Sequence, residues 1–253
     1  MPINKIKGLN LGLFYYNKRM NYHYLHFDEI DSTNVYLKNS YQLLDNFTFV
    51  SADYQSKGKG RNDRVWESVK GLNLMFSLLI KDPKLVNESN ALSLMTAVEI
   101  SKLLENYNIK NVSIKWPNDV LVNDKKICGI LLEGQIPNYL VVGIGLNVNQ
   151  KEFPEGLRRP ATSMFNELNK EIDIEVIKEK LFPNIINNFN KLNKDEYLSY
   201  FKQHNYLLNK RVKVNINQQL FIGEVVGIDD NFNIQILSHD LLLHVDSGEL
   251  EIL

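Results

Sequence analysis

Cysteine is what this chain has least of. A single thiol, Cys128, excludes an internal disulfide framework and a cysteine-cluster zinc site, the usage of a reducing compartment, so the cytoplasm is the expected location. Neither sign of charge is in excess. With 29 basic and 30 acidic residues the formal net charge is −1, leaving no chain-wide field to attract nucleic acid or an acidic membrane. Any anion site must be local. Long apolar runs are missing too: none nears the roughly 20 residues that span a bilayer, and Leu9 to Tyr16 is interrupted by Asn10 and Gly12. What remains, 253 residues at 44% hydrophobic and 23% charged, suffices for one well-buried domain and a smaller second one.

Lys5, Lys7, Lys18 and Arg19 precede the first acid, Asp28. A transit peptide shares that bias, but the simpler reading of residues 1–22 is an irregular N-terminal extension. Tyr22 to Phe27 reads as a strand, and Asp31-Ser-Thr-Asn34 offers N-cap residues for a short helix. Strands follow at 47–52 and 72–80, then a helix over about 88–107 with Lys102 and Glu105 toward solvent. Three strands then come in quick succession, 112–116, 126–133 and 140–148, with turns at Asn123-Asp124 and Pro137-Asn138. Short turns imply an antiparallel or mixed sheet and not a doubly wound one. Residues 172–207 are helical in pattern, punctuated by Pro183. From Lys210 on, short alternating strands at about ten-residue spacing are the texture of a small β-barrel. The expected division is 1–22, an extension; 23–206, a catalytic domain; and 207–253, a barrel domain.

The stretch Gln55-Ser-Lys-Gly-Lys-Gly-Arg-Asn-Asp-Arg-Val-Trp66 is the chain's most concentrated cationic segment. Two anions approach each other only if cations neutralise them, because like charges a few ångströms apart repel by several kcal/mol. Lys57, Lys59, Arg61 and Arg64 can do this, the arginines by bidentate grip. Gly58 and Gly60 let backbone amides approach a ligand. With little to bury, the loop is expected to order only when anions arrive, Trp66 closing as part of a lid. It is neither a nucleotide P-loop nor a dinucleotide fingerprint.

Other candidate pieces are Lys115-Trp-Pro-Asn-Asp119, then Asp124-Lys-Lys-Ile-Cys-Gly-Ile-Leu131, whose Lys126 opens an apolar strand where an ammonium needs an anion, and Gly143-Ile-Gly-Leu-Asn-Val148. Cys128 reads as a small buried hydrophobe. His23 with His26, and His239 with His244, show no third ligand within their segments, so no metal is firmly assigned to the protein.

These motifs, in this order from about residue 23 to the end, resemble the biotin protein ligases, also called biotin acetyl-CoA-carboxylase ligases. The resemblance implies an α+β fold: a mixed, largely antiparallel central sheet flanked by helices, class II synthetase-like, with a small C-terminal SH3-like β-barrel. It implies activation of biotin by ATP to biotinyl-5′-AMP, then transfer to a lysine of a biotin carboxyl carrier domain of a carboxylase. Mg²⁺ would accompany the ATP. Ser32, Thr33, Asn34, Gln55, Lys59, Gly60, Arg61 and Lys126 are thereby expected to bind biotin. Arg61, Arg64, Trp66, Asn118, Lys126 and Asn147 are expected to bind ATP, and Arg61, Lys126 and Asp119 to be catalytic, Asp119 by assisting deprotonation of the incoming amine. The loop departs from the usual pattern at Lys59, at Asn62-Asp63 and at Lys57. The type without an N-terminal winged helix-turn-helix is expected, since 22 residues have no room for one, and hence no DNA partner and no membrane partner. Homodimerisation is possible through a sheet edge near 126–133. The competing readings are a lipoate or octanoate ligase or transferase on the same fold, and a non-catalytic biotin sensor.

Overall fold

The computed structural model of the protein describes residues 13–17, 22–62, 64–216 and 218–253. Its main sheet has eight strands: β1 (Leu13–Asn17), β2 (Tyr22–Phe27), β3 (Thr48–Ala52), β4 (Asn73–Ile80), β5 (Val112–Lys115), β6 (Asp119–Val122), β7 (Lys125–Gln135) and β8 (Tyr139–Asn147). They lie in the order β1-β2-β3-β4-β8-β7-β6-β5. Only β2 and β3 run parallel, so the sheet is mixed and largely antiparallel, as the short turns require.

Several expectations need correction. The stretch 126–133 offers no free sheet edge, because β7 is paired on both sides by β6 and β8 and the edge strands are β1 and β5. The extension 1–22 is not wholly irregular, because β1 pairs antiparallel with β2; Leu13-Phe-Tyr-Tyr-Asn17 is aromatic and fits a pleated edge. The rest of that extension, apart from Tyr22, lies outside the described residues, as does Asp63 of the loop. Asp119–Val122, which begins at the last residue of the Lys115–Asp119 motif and is not among the expected strands, is a strand between β5 and β7.

One face of the sheet is covered by α3 (Ser89–Asn106), α5 (Ile174–Lys191) and α6 (Lys194–His204), with the large apolar cluster between. Phe49 and Phe182 stack at 4.1 Å inside it. Losing either ring would cost about 3–5 kcal/mol. α3 is buried on more than one side because α6 packs on its far face, where Lys102 meets Glu196 and Glu105 meets Tyr200. The break in the long helical pattern falls at Leu192, whose φ of 45° ends α5, whereas Pro183 lies inside that helix. The other face carries α1 (Thr33–Ser40) over a smaller cluster that includes Leu25, Leu37, Val50, Leu79 and Val141.

The C-terminal strands β9 (Arg211–Ile216), β10 (Gln219–Ile228), β11 (Ile234–Ser238), β12 (Leu241–Val245) and β13 (Glu251–Ile252) form a separate antiparallel sheet in the order β12-β11-β10-β9-β13. Among the described residues its end strands do not pair, so it is an open sheet and not a closed barrel. Its inward side chains Val212, Val225, Ile234 and Ile236 join the large cluster, and Trp116 Nε1 donates to Phe232 O at 3.1 Å. Among the described residues no helix is long and apolar enough to cross a membrane.

Candidate active site

Strand periodicity builds the floor of the cavity. On the α1 side of β4 and β8 the apolar pair Leu79–Val141 is followed, two residues along, by Ser77–Gly143 and then Met75–Gly145. On β8 the side chains run out at the two glycines, and that strand is left bare. The row continues sideways, Gly145 pairing with Gly129 of β7 and Gly129 with Asp119 of β6. Trp66 lies against this bare patch: a methyl on Gly145 would sit 2.4 Å from its Cε2, and one on Gly129 would sit 2.8 Å from its Cζ3.

At one end of the cavity is a neutral polar cluster. Thr33 N donates to Gln55 Oε1 at 2.7 Å, Thr33 Oγ1 meets the buried Ser77 Oγ at 2.6 Å, and Ser77 donates to Asn34 Oδ1 at 2.6 Å. Asn34 Nδ2 donates to Glu133 Oε2 at 2.8 Å. Ser32 is the N-cap of α1, yet its hydroxyl makes no cap bond, and it lines the cavity. Burial alone would raise the Glu133 carboxyl, but hydrogen bonds from Lys38 and Asn34 outweigh it and hold the group below its ordinary value. Ser77 and Glu133 escape a sequence reading because each sits unremarked in a strand; only their pairing with Asn34 marks them.

The other end is cationic. The loop 58–66, expected to lack structure of its own, forms a tight hairpin: Gly60 N donates to Arg64 O at 2.7 Å and Trp66 N to Gly58 O at 3.0 Å. Its arginines dock on partners the sequence reading did not supply. Arg61 donates to Asn118 Oδ1 at 3.1 Å and to Gly248 O at 3.0 Å, and Arg64 donates to Glu249 Oε2 at 2.7 Å. Glu249 also pairs with Arg158. Desolvation lowers the Arg61 pKa somewhat, opposed by Asp119. Charge-assisted bonds across the chain thus replace the apolar burial that the loop lacks.

Between the two ends stands Lys126. A bulge between Val120 and Leu121 shifts the β6–β7 register, so Lys126 opposes Leu121. Its backbone is pinned by Lys126 N to Pro160 O and Thr162 N to Lys126 O. The ammonium lies 2.8 Å from Asp119 Oδ1 and 5.3 Å from the Trp66 ring centroid. That carboxylate oxygen is buried, and the ammonium's approach is ionic without hydrogen-bond geometry. Lys115 is pushed down to about 8 by burial and then by the neighbouring Arg159, with Asp119 opposing.

The cavity therefore brings together Ser32, Thr33, Asn34, Gln55, Lys59 and Gly60. Arg61, Trp66, Asn118 and Lys126 complete the expected residues on its walls. Asp119 reaches it through Lys126. Arg64 is turned to Glu249, and Asn147, two residues beyond Gly145 on the same strand, is buried and donates to Thr162 O at 2.9 Å. Among the described residues lining the cavity there is no carboxylate, so the walls show no metal cage. Elsewhere, His26 does find company: Asp28 and Asp53 place ligand atoms within 4.8 Å of it and of each other, groups that adjacent strand ends bring together and sequence spacing did not reveal.

This mixed sheet with a cationic cavity and a small antiparallel sheet appended matches solved structures of ligases. The biotin protein ligase from Aquifex aeolicus, solved in complex with biotin and ATP, superposes with a TM-score of 0.81 at 31% identity over 91% of this chain and 98% of that one. The bifunctional ligase/repressor BirA of Bacillus subtilis (strain 168) is 30% identical over 251 residues, 92% of this chain and 75% of the relative. The biotin–[acetyl-CoA-carboxylase] ligase of Paracoccus denitrificans is 31% identical over 162 residues, 60% of this chain and 67% of the relative. Residues 26–149 match the biotin/lipoate A/B protein ligase family. The chain belongs to that family.

Proposed function

We propose that this protein is a biotin protein ligase, joining biotin to ATP as biotinyl-5′-AMP with release of pyrophosphate, and passing the biotinyl group to a lysine of a biotin carboxyl carrier domain of acetyl-CoA carboxylase type. The observation that carries the reading is the meeting, at Lys126, of a neutral hydrogen-bonding cluster and a cationic loop in one cavity. Ser32, Thr33, Asn34 and Gln55 take the uncharged polar head of biotin. Lys59, Gly60, Arg61 and Lys126 take its carboxylate and the α-phosphate, with Arg64, Trp66, Asn118 and Asn147 on the nucleotide. Mg²⁺ would come as a partner of the ATP phosphates, held by them and not by a carboxylate of the described cavity wall, and would supply charge neutralisation to the pyrophosphate.

No protein nucleophile is needed. A biotin carboxylate oxygen attacks the α-phosphorus, the bond to the pyrophosphate oxygen breaks, and the protein contributes position and charge neutralisation. Trp66 and the hairpin then shield a water-sensitive anhydride. In the second step the acceptor amine bonds to the biotinyl carbonyl carbon as the C–O bond to AMP breaks, AMP leaves with the electron pair, and Asp119 takes the amine proton. We further assign 23–206 to catalysis and 207–253 to a C-terminal unit that holds the loop through Gly248 and Glu249, and place the protein in the cytoplasm.

Incubation with ATP, Mg²⁺, a carrier domain and either biotin, lipoate or octanoate, followed by intact mass, tests the reading. One biotinyl group on the carrier is the expected result. Lipoyl or octanoyl transfer with no biotinyl transfer would replace the proposed acyl group, and ligand binding without any transfer would leave a sensor.

A further inference from the structure

A second cavity of about 300 Å³ lies beside the first and shares the wall residues Arg61, Asn118, Ile130 and Leu131 with it. The Arg61–Asn118 hydrogen bond is therefore part of the partition between them. Its outer rim is made by Ser89 and Asn90 at the start of α3, by Ile136 at the β7–β8 turn and by Asp246 in the loop that follows β12. Ile136 is 56% exposed, and among the described residues Asp246 has no ion-pair partner. The other acid in the wall, Glu133, is already held by Lys38 and Asn34.

We propose that this groove is the entry for the acceptor lysine, seating the lysine-bearing turn of the carrier domain with Ile136 under its apolar flank and Asp246 facing its cationic side chain. The inference rests on the ligase reading. Three features of the groove select this occupant. It combines exposed lining residues, Asn90, Ile136 and Asp246, with a wall at Arg61 and Asn118 that it shares with the first cavity, as a side chain entering from outside requires. The charge on its rim, Asp246, is negative and complementary to an ammonium, while the cation of its wall, Arg61, is turned to Asn118 and Gly248 on the inner partition. Its exposed apolar residue sits at the rim, where a folded partner and not a small molecule would cover it. Once inside, the amine forms its bond to the biotinyl carbonyl carbon, AMP departs with the electron pair, and the proton passes to Asp119.

Asp246→Lys and Ile136→Glu, measured in the full-length protein, test this. Biotin-dependent ATP–pyrophosphate exchange should stay within about twofold of wild type in both, and transfer to hydroxylamine, which needs no docking, should be unchanged. KM for the carrier domain should rise about tenfold or more, the scale of losing an interface anchor or a complementary charge. Unaltered carrier KM in both variants, with exchange intact, overturns the inference while leaving the ligase reading standing. Absence of exchange in the wild type removes the ligase reading itself. A concentration-dependent dimer that Asp246→Lys dissociates, with carrier KM unmoved, would assign the groove to a second copy of the chain and also overturn the proposal.

Discussion

Asp119 and Lys126, on neighbouring strands, hold their charges 2.8 Å apart beside the indole of Trp66. The pair sits where the glycine floor ends, so a substrate carboxylate held at Lys126 would also lie beside Asp119, the proposed acceptor of the amine proton. Asp119→Asn keeps the shape and removes that capacity. Transfer to the carrier should fall by about 10²-fold, the ordinary worth of a positioned base, while biotin-dependent pyrophosphate exchange falls far less. Equal losses in both half-reactions, measured by single turnover, would move Asp119 from proton transfer to substrate positioning.

Gly143→Ala places a methyl 2.2 Å from Asn34 Oδ1. Asn34 must move, and its bonds to Ser77 and Glu133 move with it. The expected cost is about 1–3 kcal/mol of stability, the usual penalty of overpacking. Biotin affinity should drop while ATP binding in the absence of biotin does not, and calorimetric titration of each ligand separates the two.

Lys115 has its folded pKa depressed from 10.5 to about 8, chiefly by burial. A depressed ammonium binds fewer protons folded than unfolded, so its contribution to stability rises with pH between about 8 and the unfolded value and is at its most unfavourable below 8. Lys115→Met removes that penalty. Its melting temperature relative to wild type should be highest near pH 7 and should decline toward pH 10. A difference independent of pH would show that the ammonium is not desolvated.

Cys128 is fully buried in β7, and burial pushes its thiol pKa up. Thiolate is the reactive form, so alkylation of the folded protein by iodoacetamide should be slower than in denaturant by about 10²-fold or more. Comparable rates would mean that β7 opens readily.

Much of this was legible in the sequence because it is carried by local pattern. The strands around 22–27, 47–52, 72–80 and 140–148 announce themselves by apolar, β-branched runs, and the cationic loop by its glycines and charges. The short strand β6 was not legible, since Asp119 and the preceding Asn118 imitate a plain turn. Nor was β1, whose aromatic residues were weighed only as a membrane span. The loop's docking on Gly248 and Glu249 joins residues nearly 190 positions apart, and no local rule reports such a pairing. Ser77 is an ordinary strand serine until the sheet register sets it opposite Gly143.

The central claim is that Lys126, with the cationic hairpin, lets a vitamin carboxylate and a triphosphate meet. Exchange of labelled pyrophosphate into ATP, with and without biotin, measures that step alone. The wild type should exchange only when biotin is present, and Lys126→Met should lose about 10²–10³-fold, the scale of deleting one group that stabilises developing charge, while still binding ATP. Biotin-independent exchange in the wild type, or full exchange in Lys126→Met, would contradict it.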